Sequence, residues 1–140
     1  MRLFAFFLVV TGILAGCESA APSGCRPATE RIYINQRFPD RAETFHPDSL
    51  RVFLFETQFD NTVSIQVGNS VIARQHLLTG PNGLAGRVFV RAKSQEKVVI
   101  RTANQCTYFK LKDGYKYLYI DKQRNLGWHI EYSNFSRAYF

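Results

Sequence analysis

The sequence predicts an all-β protein: an antiparallel β-sandwich of about eight strands in an immunoglobulin- or transthyretin-like arrangement, with a small closed β-barrel as the runner-up. Two observations point there. Short segments with apolar residues at every second position recur through residues 30–140, parted by turn residues at even spacing. No 3.6-residue apolar period follows Cys17, so no amphipathic helix is expected beyond it. The expected organisation is a signal peptide at 1–16, a lipidated tether at 17–29 and one sandwich domain at 30–140.

The chain opens with Arg2, an apolar run from Leu3 to Leu14, and then Ala15-Gly16-Cys17. A positive start, an apolar stretch too short to span a bilayer and small residues at its end form a secretory signal. Leu14-Ala15-Gly16-Cys17 resembles the lipobox of bacterial lipoproteins. The resemblance covers the signal only. It implies cleavage before Cys17, diacylglycerol on the Cys17 thiol and acylation of the new amino terminus. Glu18 stands where that family often carries an aspartate as an inner-membrane retention signal, so the resemblance favours the outer membrane. The covalent lipid is the only prosthetic group expected. With Cys17 acylated, Cys25 and Cys106 remain, and an oxidising exported compartment favours a disulfide between them.

Removing Arg2 leaves 17 basic against 11 acidic residues, a net charge of +6. Such an excess suits anionic surroundings, and equally a merely solubilising surface. The segment from Glu18 to Thr29, with Pro22, Gly24 and Pro27, reads as a flexible tether. Arg31 to Asn35 reads as a strand with Ile32 and Ile34 on one face. Gln36 to Ser49, with Pro39 and Pro47, reads as a long loop. Its acidic Asp40, Glu43 and Asp48 lack the spacing of a calcium loop.

From Leu50 to Phe59 both faces are apolar: Leu50, Val52 and Leu54 on one, Phe53, Phe55 and Phe59 on the other. That pattern predicts a central strand. Val63, Ile65 and Val67 alternate with polar residues up to Gly68-Asn69, a two-residue hairpin turn that sets Ile65 opposite Ile72. Gly80-Pro81-Asn82-Gly83 is a turn cluster. Val88 with Val90, and Val98 with Ile100, supply the inner faces of two further strands. Trp128, Ile130 and Tyr132 form the inner face of the last.

Between them, Asp113-Gly114 predicts a hairpin with Lys112 opposite Tyr115, Lys110 opposite Tyr117 and Tyr108 opposite Tyr119. Those six residues, Tyr108, Lys110, Lys112, Tyr115, Tyr117 and Tyr119, would form one face, with Phe109, Leu111, Leu118 and Ile120 turned to the core. Tyrosine rings stack on sugars and ammonium groups attract anions, so the face is a candidate binding surface. Cross-strand aromatic and cationic pairs also stabilise an ordinary solvated sheet.

Catalytic signatures are absent. His46, His76 and His129 are isolated, and no G-x-S-x-G, P-loop, C-x-x-C or H-E-x-x-H pattern occurs. The expected role is therefore a non-catalytic binding module or accessory subunit of the cell envelope. An inhibitor of a hydrolase is the alternative, and a small hydrolase stands behind it. Expected partners are the membrane, through the lipid, and an anionic glycan or envelope protein; nucleic acid is not expected.

Overall fold

A computed structural model describes residues 20–46, 50–123 and 127–139. The signal peptide, the lipobox and Cys17 lie outside the described residues, as do Pro47 and Asp48. The strands are β1 (Arg26–Pro27), β2 (Thr29–Ile32), β3 (Arg51–Glu56), β4 (Asp60–Val67), β5 (Ser70–Leu78), β6 (Leu84–Val90), β7 (Lys97–Arg101), β8 (Cys106–Lys110), β9 (Tyr117–Gln123) and β10 (Gly127–Ser133). They form a β-sandwich of two five-stranded sheets. Sheet I has the order β1-β8-β7-β4-β5 and sheet II the order β2-β10-β9-β3-β6. The sheets do not close into a barrel. Nor are they purely antiparallel: β1 runs parallel to β8, β2 to β10, and β3 to β9.

The core between the sheets follows the period-two pattern. Val63, Ile65, Val98, Ile100 and Phe109 from sheet I meet Phe53, Phe55, Leu118, Ile120, Ile130 and Tyr132 from sheet II, all buried. As its two-sided apolar pattern requires, β3 is an internal strand with a second apolar face. Val52 and Leu54 join Tyr117 and Tyr119 in a smaller cluster on the outer side of sheet II.

The β4–β5 hairpin turns at Gly68, whose φ of +57° suits a glycine-first two-residue turn. Its register departs from expectation. A bulge after Ile65 sets Ala73, not Ile72, opposite that residue. The unbulged register would have turned Arg74 inward beside Val63. The extra residue instead exposes Ile72 and Arg74 and buries Leu77, a one-residue slip that reverses every side chain beyond it. Leu77 then packs where the chain passes from sheet I to sheet II. A Cβ at Gly86 would stand only 2.7 Å from its Cδ2, so β6 can approach there only as glycine.

The expected tether ends earlier than Thr29. Arg26–Pro27 lies along β8, Ala28 N donates to Tyr108 O, and Thr29–Ile32 lies along β10. Thr107 Oγ1 also donates to Arg26 O at 3.0 Å. These bonds, with the nearby disulfide, supply enough partners to order a segment whose composition reads as linker. Ile32 and Ile34 are exposed rather than packed on a common face, because β2 is an edge strand ending at Ile32.

Candidate functional site

Cys25 and Cys106 form the expected disulfide, across 81 residues. The expected lysine–tyrosine hairpin does not form. β8 belongs to sheet I and β9 to sheet II, so Tyr108 and Lys110 are separated from Tyr117 and Tyr119 by the thickness of the sandwich. Asp113-Gly114 does turn, with Gly114 at φ +81°, but the turn carries the chain across rather than back. The physical cause is Arg51. Its side chain points into the sandwich end with no exposure, and its Nη1 donates to both Lys112 O (3.0 Å) and Tyr115 O (2.7 Å). Carbonyls that would flank a hairpin turn are wrapped around a guanidinium instead. Phe45 covers it, with the guanidinium carbon 4.4 Å from the ring centroid. Burial lowers the Arg51 pKa, Tyr132 and Asp113 opposing the shift.

The six predicted surface residues therefore take different environments. Lys110 is exposed on sheet I, and Tyr108 lies under the Lys97 ammonium at 5.6 Å. Lys112 stands 3.6 Å from Glu30, and Tyr115 packs on Tyr132. Tyr117 and Tyr119 are buried. Tyr117 donates its hydroxyl to Glu43, which also accepts from Lys116. Those two hydrogen bonds hold the Glu43 carboxyl below its ordinary value. The acidic loop residue Glu43 thus closes over sheet II, and among the described residues no group of three potential ligands is placed to hold a metal.

What the fold does assemble is a polar groove on the outer side of sheet II. It encloses about 280 Å³ and is lined by Arg31, Glu56, Tyr119, Asp121, Gln123, His129, Glu131 and Arg137. Strand register brings these together: Asp121 faces His129, and Glu131 lies between Tyr119 and Arg31. The carboxyl-terminal segment completes the groove. Arg137 Nη1 donates to both oxygens of Glu56 at 2.8 Å, Nη2 donates to Glu131, and the guanidinium carbon lies 3.9 Å from the Tyr119 ring centroid. Arg31 Nε reaches Glu131 from the other side at 2.5 Å. Tyr139 donates to Glu56 at 2.6 Å, and Tyr119 donates to Phe135 O at 2.7 Å.

Electrostatics follow from this packing. Burial opposes the charge on Arg137, but Glu56 and Glu131 outweigh it and raise its pKa above the ordinary arginine value. Burial pushes the Tyr119 hydroxyl up to about 12. Burial and then the bond to Glu56 raise Tyr139 as well. Glu56 and Glu131 are thus each paired with a guanidinium in place. The remaining polar groups are differently placed. Among the described residues His129 Nε2 is buried with no hydrogen-bond partner, while Asp121 accepts from the Thr57 hydroxyl and Gln123 lines the rim. A polar ligand entering the groove meets the Asp121 carboxylate and the Gln123 carboxamide beside the His129 ring.

Of the other histidines, His76 lies 3.5 Å from Asp60 on the exposed side of β4 and β5, and His46 is exposed. Neither Arg51 nor Arg137 shows its organising role in the local sequence, because Arg51 bonds partners 43 to 64 positions away and Arg137 reaches back 81 positions to Glu56. No protein-family model, curated protein or solved structure matches this chain.

Proposed function

We propose that this chain is a lipid-anchored protein of the cell envelope that works by binding, as an interaction module or accessory subunit, and not by catalysis. The observation that carries the reading is the joint presence of the Leu14-Ala15-Gly16-Cys17 lipobox and, eight residues on, a cysteine bridged to Cys106. Lipobox and disulfide are independent signs of export, because a disulfide of this kind persists in oxidising compartments. Two of the groove carboxylates, Glu56 and Glu131, are occupied by Arg31 and Arg137, which suits them to shaping a surface rather than to moving protons. The outer membrane is the favoured location, from Glu18.

The groove at Asp121, Gln123 and His129 is the proposed contact surface. The test is chemical cross-linking in intact envelopes, followed by capture of the lipidated chain in detergent, comparing wild type with His129→Ala/Asp121→Asn. An envelope component that is captured by wild type and lost from the variant, at unchanged melting temperature, supports the reading. Identical capture by both chains overturns the placement of the contact surface.

A further inference from the structure

We propose that the outer face of sheet I is a membrane-docking surface that lies on the anionic phospholipid headgroups of the leaflet holding the Cys17 lipid. The inference rests on the lipid-anchor reading for the position of that lipid, and on the fold for the rest.

The first observation is where the described chain begins. Lys97, on the outer face of β7, donates from Nζ to Ala20 O at 2.7 Å, and Cys25 is bonded to Cys106 on the same face of β8. The amino-terminal segment is therefore fixed on sheet I at two points. Only three residue steps separate Ala20 from Cys17, a reach of roughly 10 Å when fully extended. A lipid on Cys17 thus holds the Lys97 end of this face within roughly 10 Å of the bilayer surface, close to the Debye length at physiological salt.

The second observation is charge. Arg74 and Arg101 flank Ser64 from either side on that face, and Lys110 lies opposite Lys97. Among the strand residues of sheet I the sole carboxylate is Asp60, at the far end of β4 and beside His76. The strands of sheet II carry Glu30, Glu56, Asp121 and Glu131. Against those carboxylates the strands of sheet I carry five cations and those of sheet II four, so the basic excess of the strand residues lies on the side from which the tether leaves.

The third observation is apolar exposure on that same side. Val71 and Leu78 point outward from edge strand β5 and are 64% and 62% exposed. Cations alongside exposed apolar side chains match the headgroup region, where charge meets phosphate and apolar groups enter the acyl boundary. Several acyl chains already make attachment stable, so docking orients the sandwich and turns the sheet II groove away from the bilayer.

The test uses the full lipidated chain in phosphatidylglycerol–phosphatidylethanolamine vesicles and in phosphatidylcholine vesicles. Amine-reactive labelling is quantified at Lys110, on the outer face of sheet I, and at Lys116, which bonds Glu43 over the outer face of sheet II. Each cation near an anionic surface changes local occupancy by roughly fivefold. Labelling of Lys110 should accordingly fall about fivefold or more in the anionic vesicles alone. Lys116 should not change, and Arg74→Gln/Arg101→Gln or high salt should restore Lys110. Equal labelling of Lys110 in both vesicles, or protection of Lys116 instead, overturns the proposal. Intact mass of the same sample reports the Cys17 lipid separately. Should the lipid be missing, the anchor reading fails. The face is then judged by cosedimentation of that chain with the anionic vesicles: binding lost in the Arg74/Arg101 variant sustains it, and no binding overturns it.

Discussion

Replacing Arg137 with alanine tests whether the carboxyl-terminal segment is held by charge. The guanidinium satisfies Glu56 through two 2.8 Å bonds and also bonds Glu131, whose residue is only 3% exposed. Removing one partner from a fully buried ion pair costs about 3–5 kcal/mol. Two features reduce that here. Arg137 is 35% exposed, and Glu131 keeps Arg31, itself 63% exposed. A loss of roughly 2–3 kcal/mol is expected, or about 10 °C in melting temperature for a domain of this size. Urea unfolding of the mature chain measures it, with Arg137→Lys as an intermediate that keeps charge but loses the fork. A loss under about 1 kcal/mol would refute the argument and reduce the network to surface pairing.

Two further outcomes follow from the same geometry. Cys25→Ala/Cys106→Ala releases an 81-residue closure, for which the chain-entropy account gives an upper figure of ~4–5 kcal/mol; calorimetry should show a clearly lower melting temperature, and an unchanged one would contradict it. Tyr119, raised to about 12 by burial, stabilises the fold below its unfolded value near 10 and loses that contribution as pH rises from 10 toward 12, up to about 3 kcal/mol. Tyrosinate absorbance should therefore rise together with unfolding for the buried tyrosines, whereas independent titration of all seven near pH 10 in a folded protein would contradict it.

The sandwich was legible because period-two alternation reports which side chains enter a core whatever the strand order. Val63, Ile65, Phe53, Phe55, Ile130 and Tyr132 are buried as their spacing implies. Strand partners are less legible. Asp113-Gly114 marks a turn, but whether the chain pairs back or crosses over depends on Arg51, sixty residues earlier in sequence. The β4–β5 register likewise turned on a bulge that keeps Arg74 out of the core, a demand of the tertiary structure and not of the Gly68-Asn69 turn. The expected lysine–tyrosine face failed for the first reason, and the groove could not be anticipated for a related one. Its members come from β2, β3, β9, β10 and a tail, and only strand order places them side by side.

The central claim, a lipid-anchored envelope protein, is met most directly by metabolic labelling with a fatty-acid probe in cells expressing the full chain or Cys17→Ser. Wild-type protein should carry the probe, partition with membranes and begin at residue 17, while Cys17→Ser should carry none because it lacks the acylated thiol. Equal labelling of the two chains, or an unlabelled wild type recovered as soluble protein, would contradict the account.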